Sequence, residues 1–134
     1  GFPEAEFYLP QRIGGTLMCH QAHQSDDNPL VDVGAKDITA HVNFTGVALA
    51  AQEAGWNTLG YTTQALFLMN CGLLTHLSPQ DPDHPSVEDL KNTAAVQKLL
   101  GEHEMGELFK VIAFTPGEWF DAMGFRQGDR THTL

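Results

Sequence analysis

The sequence predicts an α/β fold, and three observations carry that prediction. Apolar residues recur at helical spacing over residues 44–54 and again over residues 87–100. Residues 108–114 form a near-continuous apolar run, which is typical of a strand covered on both faces. Helical and strand-like segments follow one another along the chain, as they do in α/β proteins. Only two or three strands are visible, too few for a self-sufficient sheet, so we expect the 134 residues to form a single partial domain.

The first predicted helix, residues 44–54, follows a polar segment that begins at Asp37. Asn43 is expected to cap the N-terminus of this helix, and Gly55 to stand just after its C-terminus. The segment brings an acid, a hydroxyl group, an imidazole and an amide to the start of a helix, where backbone N–H groups attract negative charge. It therefore predicts either a functional site or ordinary helix capping, and spacing alone leaves both open.

The next two elements follow from local signals. Residues 56–62 predict a strand with polar and apolar residues interspersed. Thr63 is expected to cap a short, very apolar helix over residues 64–70.

The second half of the chain begins with a predicted exposed loop at residues 80–85, which is rich in acids and proline. Ser86, with Asp89 three positions later, predicts a capped start for the helix over residues 87–100. The alternating polar tail predicts a short edge or hairpin strand near residues 126–133.

Charge and cysteine content restrict the possible partners. The formal net charge of −10 argues against nucleic acid and against an anionic membrane, because both need a basic face. It is compatible with a basic partner, or simply with an acidic surface that keeps the protein soluble. No apolar run reaches membrane-spanning length. Cys19 and Cys71 are far apart and are expected to be reduced, buried thiols, which fits a reducing compartment.

The short sequence motifs indicate no metal site, catalytic nucleophile or nucleotide-binding loop. His20-x-x-His23 with Asp26 or Asp27 nearby offers metal donors, but it lacks the cysteine pairs of structural zinc sites, so we interpret these histidines as structural or solvated and expect no metal. The chain contains no G-x-S-x-G nucleophile elbow and no glycine-rich nucleotide-binding loop.

Longer sequence blocks resemble one known family. In chain order they are R-x-G-G-T-L-x-C at residues 12–19, His23, D-N-P at 27–29, Gly34, D-I-T-A-H-V-N-F at 37–44, G-Y-T-T-Q-A-x-F-L at 60–68, C-G-L at 71–73, M-G-E-L-F-K-V at 105–111 and G-F-R-x-G-D-R at 124–130. These blocks resemble the MidA-like family of S-adenosyl-L-methionine-dependent methyltransferases, which includes a protein-arginine methyltransferase that acts in the assembly of mitochondrial complex I. The resemblance covers nearly the whole chain.

The resemblance implies a fold and a cofactor. Family members have the seven-stranded Rossmann-like sheet of class I methyltransferases, and this chain would be its C-terminal part. Residues 56–62 would be the fifth strand, residues 108–114 the sixth, and the tail near 126–133 the antiparallel seventh. Gly1-Phe2 would follow the fourth strand, so the N-terminal half with the glycine-rich loop for S-adenosyl-L-methionine would be absent. No cofactor-binding residue is therefore assigned in this chain.

The resemblance also gives catalytic roles to two polar residues, for methyl transfer to a guanidinium group. Asp37 would be the carboxylate that faces the cation. His41 would be the base or the orienting donor, because its reference pKa lies near neutrality.

Four further residues would bind substrate. Thr39 and Asn43 would position it, and Thr62 and Gln64 would do so from the C-terminal end of a parallel strand, where ligand crevices of α/β sheets lie. For each, the ordinary alternative is a buried hydrogen bond or a helix cap. The family usually has an acid where this chain has Asn43, which bears on activity unless that residue only caps the helix.

We therefore expect the acceptor-side portion of a methyltransferase that acts on an arginine-bearing protein, with no activity for this chain alone. The alternative is a non-catalytic assembly-factor module that docks a basic partner. Strands missing from the sheet would leave an edge through which the chain self-associates. By resemblance, the location would be cytoplasmic, as in bacterial relatives, or mitochondrial, as in eukaryotic ones.

Overall fold

The computed structural model describes residues 1–77, 84 and 86–134. Except for His84, the loop predicted at residues 80–85 lies outside the described residues. The chain divides into two compact units, Gly1–Val47 and Ala48–Leu134, which we call unit 1 and unit 2 and describe separately.

Unit 1 is built around a small antiparallel sheet. After a one-turn helix α1 (Glu4–Phe7) come the strands β1 (Met18–Gln21), β2 (Gln24–Asp26) and β3 (Asp37–Thr39), which lie in the order β2-β1-β3. β1 and β2 are joined by a two-residue turn, Ala22–His23, in which both residues have positive φ angles of 47° and 65°. No turn signal in the sequence indicates this hairpin, because such turns usually contain asparagine or glycine.

The register of the sheet sorts its residues onto two faces, since residues directly opposite each other point to the same side. Gln21 lies opposite Gln24, and two positions along β1 Cys19 lies opposite both Asp26 and Ile38. These residues share one face. The other face carries the residues of the remaining pairs: Met18 with Thr39, and His20 with Asp37 and Ser25.

The helix α2 (Phe44–Glu53) confirms the first predicted helix. The Gly46 N–H donates to the Asn43 side chain at 3.0 Å, which is the expected N-cap. At the other end Gly55 has φ +81° and its N–H donates to the Gln52 carbonyl, while the Trp56 N–H donates to the Ala51 carbonyl. This is a Schellman end, and it requires the left-handed conformation that glycine adopts without strain.

Unit 2 contains a two-stranded sheet and its covering helices. Its elements in chain order are β4 (Asn57–Thr63), α3 (Gln64–Asn70), a 3₁₀ helix (Leu73–Leu77), α4 (Val87–Leu100), α5 (Met105–Leu108), β5 (Lys110–Thr115) and two 3₁₀ turns (Met123–Phe125 and Thr131–Thr133). The predicted caps are confirmed, because Thr63 accepts the Leu66 N–H and Ser86 forms a complete capping box with Asp89.

The core of unit 2 lies along β4. Tyr61, Thr62 and Thr63 are at most 1% exposed, and Phe125 is 6% exposed. The Phe125 ring lies directly over Gly60 and makes an edge contact with Phe67 at a centroid distance of 5.4 Å. A glycine at position 60 is therefore required by close packing, because a Cβ there would overlap the Phe125 side chain.

Two expectations about the sheet are wrong. β5 is a strand as predicted, but it pairs antiparallel with β4, so the strand that ends at Thr62 has an antiparallel neighbour where we expected a parallel one. An apolar run does not by itself distinguish the two pairings, and β5 is half-buried along its length rather than fully covered.

The tail forms no strand at residues 126–133. Its backbone bends into 3₁₀ turns, Gly128 has φ +70°, and the Thr133 hydroxyl donates to the carbonyl of Arg130. These local bonds compete with extended structure. The mixed α/β character is confirmed, while the seven-stranded Rossmann-like arrangement stays a prediction. Among the described residues, no helix is long and apolar enough to cross a membrane.

Candidate functional site

The six residues predicted for the site fall into both units. Asp37, Thr39, His41 and Asn43 lie in unit 1, and Thr62 and Gln64 lie in unit 2. The units differ in how these side chains are used, so each group is described within its own unit.

Asp37 begins β3 on the sheet face that also carries His20 and Thr39. It is exposed, and its carboxylate makes no hydrogen bond or ion pair with any residue that the structure describes. Thr39 is also exposed, but its hydroxyl donates to the Met18 carbonyl across the strand pair at 3.2 Å. Asp37 is therefore the acid of this face that remains available to a cation.

His41 is held beside an aromatic ring. Its backbone N–H donates to the Thr16 hydroxyl at 3.1 Å, and its imidazole meets the edge of Phe2 at a centroid distance of 4.7 Å. The Arg12 guanidinium lies over the same Phe2 ring at 4.0 Å. His41 is largely exposed, but the desolvation that it does undergo, together with the positive charge of Arg12, lowers its pKa below 6.5. At neutral pH the imidazole is therefore uncharged and able to accept a proton.

Sequence reasoning missed Phe2 and Arg12, the two residues that surround His41. The chain positions Phe2 through a parallel bridge, in which its N–H donates to the Val42 carbonyl and its carbonyl accepts the Phe44 N–H, both at 2.9 Å. The R-x-G-G block could have drawn attention to Arg12, but nothing in its spacing connects it to a histidine so far along the chain.

Asn43 has a clear structural role, since its side chain caps α2. An aspartate could accept the same hydrogen bond, so the departure from the family pattern leaves the start of the helix intact. Whether Asn43 also contacts substrate stays a prediction.

In unit 2 the side chains of the two predicted substrate-binding residues make hydrogen bonds within the unit. Thr62 is fully buried and its hydroxyl donates to the Gly128 carbonyl at 2.7 Å. The Gln64 side chain donates to the Leu99 carbonyl at 3.0 Å, and its backbone N–H donates to Phe109. Thr62 lies near the end of β4 and Gln64 begins α3, and the polar groups of both residues already have partners within the unit.

The last two family-like blocks meet β4 through a polar network. The Asp129 carboxylate accepts the Tyr61 N–H at 2.9 Å, and the Arg130 N–H donates to the Tyr61 carbonyl at 2.7 Å. The Arg130 guanidinium then pairs with Glu107 at 2.8 Å, and Lys110 pairs with the same carboxylate at 3.2 Å. Burial acts to raise the pKa of Glu107, but the hydrogen bonds from Arg130 and Lys110 outweigh it and lower that pKa. These two family-like blocks therefore join the tail to the sheet.

Unit 1 also contains an open cavity of about 380 Å³ on the sheet face that carries Gln21 and Gln24. The loop after β2 forms its other wall, and that loop is closed by an ion pair in which the Lys36 ammonium donates to Asp26 at 2.7 Å. The Lys36 side chain is only 7% exposed. The hydrogen bond from Lys36 lowers the pKa of Asp26, and the same bond raises the pKa of Lys36. A weak signal was present in the sequence, because Lys36 is the one lysine or arginine between Arg12 and Lys91.

Neither a metal nor the expected cofactor is assigned to these residues. Within residues 1–77, 84 and 86–134, no three histidine, cysteine, aspartate or glutamate side chains are grouped so that they could hold a metal ion. The cavity has mainly amide and charged walls, with Val31 as the apolar residue of its lining. The lining includes no glycine-rich loop of the kind that holds the cofactor in Rossmann-like folds, so we derive no step through the cofactor in this chain.

Comparison with known proteins identifies a sequence family and solved structures that are similar to the chain. Residues 1–62 match the sequence model of a family described as "putative S-adenosyl-L-methionine-dependent methyltransferase". None of the curated proteins compared with the chain matches it.

Two crystal structures from Burkholderia thailandensis are similar to the whole chain. One is a COG1565 superfamily member and "likely methyl transferase" bound to S-adenosyl-homocysteine, with 49% identity and a TM-score of 0.90 over 100% of this chain and 34% of that one. The other is the native structure of an uncharacterized COG1565 superfamily protein, with 49% identity and a TM-score of 0.91 over 100% of this chain and 36% of that one. The chain thus spans about a third of the length of these relatives. Together the matches confirm the resemblance found in the sequence, because residues 1–62 match a family of S-adenosyl-L-methionine-dependent methyltransferases and the whole chain is similar to solved COG1565 superfamily members.

Proposed function

We propose that this chain is the acceptor-side portion of an S-adenosyl-L-methionine-dependent methyltransferase that methylates arginine side chains of proteins. The observation that carries the proposal is the exposed Asp37 carboxylate, which has no hydrogen bond or ion pair among the described residues and lies four residues before His41 in one short segment. That segment lies inside residues 1–62, the part that matches the methyltransferase family.

The geometry of unit 1 supports separate roles for Asp37, which would bind the acceptor, and His41, which would accept its proton. A guanidinium group is planar and always charged, and it binds a carboxylate through two parallel hydrogen bonds. Asp37 supplies such a carboxylate on an open sheet face, and the net charge of −10 attracts cations to the protein. Binding at Asp37 would hold the acceptor nitrogen in a fixed orientation, which is the main requirement of a displacement reaction.

Methyl transfer to a guanidinium nitrogen also releases a proton. His41 is uncharged at neutral pH and fixed by Thr16 and Phe2, so it is the general base of this proposal. Arg12 contributes by keeping positive charge near the imidazole, which opposes its protonation before the reaction. In the whole protein the cofactor would supply the methyl group, and the residues that hold it would come from outside this chain.

The proposal includes the partner and the compartment. The substrate is an arginine-bearing protein, and the free thiols of Cys19 and Cys71 support a reducing, cytoplasmic-type environment. The family match and the relative bound to S-adenosyl-homocysteine favour this enzyme over a non-catalytic assembly module.

Calorimetric titration of S-adenosyl-L-methionine separates the two functions. We expect no binding to this chain alone and clear binding to a protein extended at its N-terminus to the length of the solved relatives. With the extended protein, transfer of labelled methyl groups to an arginine-bearing protein substrate should fall about a hundredfold or more in Asp37→Asn and in His41→Gln.

Glu118→Gln is the matched control, because Glu118 is an exposed acid of unit 2 whose neutralisation changes the net charge equally. It should retain full activity. Equal activity of Asp37→Asn and the unmodified protein would refute the assigned role of Asp37, and an extended protein that binds no cofactor would refute the enzyme.

A further inference from the structure

We propose that the open cavity of unit 1 is a second binding site, one that takes a cationic side chain of the guanidinium type. The inference rests on the proposed function, because an arginine-bearing substrate would present such groups next to the arginine that is methylated. The site is distinct from Asp37, since the cavity is lined by Gln21 and Gln24, which lie on the opposite face of the sheet.

The size of the cavity fits a side chain of this kind. Its volume of about 380 Å³ lies within the usual range of ligand-binding clefts. The cross-strand pair Gln21 and Gln24 forms one wall, fixed by the two-residue turn between them. The loop closed by Asp26 and Lys36 forms the other wall, so both walls belong to unit 1.

The charges that line the cavity leave one carboxylate available. Both oxygens of Asp26 are occupied, one by the Asn28 N–H at 2.9 Å and the other by the Lys36 ammonium at 2.7 Å. Lys36 also donates to the Asn28 carbonyl at 3.4 Å, so its charge is offset within the wall. The side chain of Asp32 makes no hydrogen bond with the part of the chain that the structure describes, although its charge acts on Lys36 and adds to the raised pKa of that lysine. With Asp26 and Lys36 balancing each other, Asp32 gives the lining a net charge of −1.

The hydrogen-bonding groups of the cavity favour a guanidinium over other ligands. A guanidinium has five N–H donors and no acceptor, so it needs several oxygens that converge on one plane. Asp32 supplies carboxylate oxygens, and the side-chain amides of Gln21 and Gln24 supply further oxygens on the facing wall. An anion would meet Asp32 as a like charge, and an apolar ligand would leave these groups without partners.

The position of Asp32 allows a clean substitution. Its φ angle of +53° is in the left-handed region, which asparagine adopts more readily than most residues. Asp32→Asn should therefore keep the loop conformation and remove only the charge. Asp27→Asn is the matched control, because Asp27 is an exposed acid of the same loop that does not line the cavity.

The test is an NMR titration of this chain with Nα-acetyl-arginine methylamide, followed through the backbone amides and the side-chain amides of Gln21 and Gln24. We expect saturable shifts at those residues and at Asp32. The affinity should fall about tenfold or more in Asp32→Asn and stay unchanged in Asp27→Asn. The citrulline analogue, which has the same shape but no charge, should not bind.

Equal shifts with the citrulline analogue, or equal losses in both variants, would overturn the proposal by showing that charge at the cavity plays no specific part. Shifts confined to Asp37 and Thr39 would also overturn it, while leaving the proposed function intact. Because no methyl transfer is measured, a failure here is distinguishable from a failure of the enzyme. Binding at the cavity combined with an inactive extended protein would keep this site and refute the enzyme.

Discussion

Thr39 in unit 1 and Thr62 in unit 2 were assigned the same role from the sequence, yet the fold uses them differently. Thr62 is fully buried and its hydroxyl donates to Gly128 at 2.7 Å, whereas Thr39 is exposed and donates to Met18 at 3.2 Å. The same contrast separates Gln64, whose side chain donates to the Leu99 carbonyl, from Asp37, whose carboxylate has no hydrogen bond or ion pair among the residues that the structure describes. Burial, more than residue type, decides whether a polar group holds the fold or stays available for chemistry.

The largest expected difference in stability between the two units comes from replacing a glycine in each. Gly60→Ala in unit 2 would push a methyl group into the Phe125 side chain, so we expect a loss of about 1–3 kcal/mol or more in the free energy of unfolding. Gly14→Ala in unit 1 is the control, because no atom lies within 4 Å of the added Cβ, and its effect should stay below about 1 kcal/mol. Urea unfolding followed by circular dichroism measures both. Equal losses would mean that unit 1 is packed as tightly as unit 2.

The two threonines provide the next test. Thr62→Val keeps the shape of the side chain but leaves the Gly128 carbonyl without its partner, which should cost about 1–3 kcal/mol of unfolding free energy. Thr39→Val should cost less than about 1 kcal/mol, because water can replace the bond to Met18 at an exposed site. The same unfolding experiment compares them, and a larger loss for Thr39→Val would reverse the distinction between the units.

Helix capping gives a smaller effect. Asn43→Ala removes the acceptor for the Gly46 N–H and should destabilise the chain by about 1 kcal/mol. Asn43→Asp should stay within a few tenths of a kcal/mol of the original, because aspartate caps equally well. A stability scan of the three proteins decides the question. If Asn43→Asp is as unstable as Asn43→Ala, the family's usual acid has a role other than capping.

The smallest effect is a pH dependence in unit 1. The pKa of His41 is lower in the folded chain than its ordinary value of 6.5, so the unfolded state binds the proton more readily. The contribution of His41 to stability is therefore complete above pH 6.5 and falls as the pH drops below it. His41→Gln should lack this component, so the stability difference between the two proteins should change in that range and be constant above it. A difference that is constant throughout would show that the fold does not shift this pKa.

The elements that could be predicted from sequence are those fixed by neighbouring residues. The two ends of α2, the Thr63 cap and the Ser86–Asp89 capping box each depend on residues within one or two turns, and all were confirmed. The turn at Ala22–His23 was missed, because left-handed residues there are held by the strands on either side rather than by their own preference. The tail was wrong for a related reason, since its partners on β4 lie far away in sequence.

The candidate site shows the same limit. The catalytic roles of Asp37 and His41 stay predictions, and the Phe2 and Arg12 surroundings of His41 depend on contacts that spacing does not encode. The cavity depends on the ion pair between Asp26 and Lys36, which closes a loop. The sequence shows a lone lysine after an acidic stretch, but it does not show that the two side chains meet. The substrate-binding roles of Thr62 and Gln64 were predicted without knowledge of burial, which distinguishes these residues from exposed polar ones.

The hydrogen bond between Tyr61 and Asp129 has a consequence for the order in which the protein is made. The two residues are 68 positions apart, so at ribosomal speeds of about 5–20 residues per second Asp129 is synthesised roughly 3–14 s after Tyr61. During that interval the Tyr61 N–H and carbonyl cannot form the hydrogen bonds to Asp129 and Arg130 that they make in the folded unit. Vectorial synthesis therefore delays the completion of unit 2 until the tail emerges, and nascent chains that stall before residue 129 would be the ones that depend on chaperones.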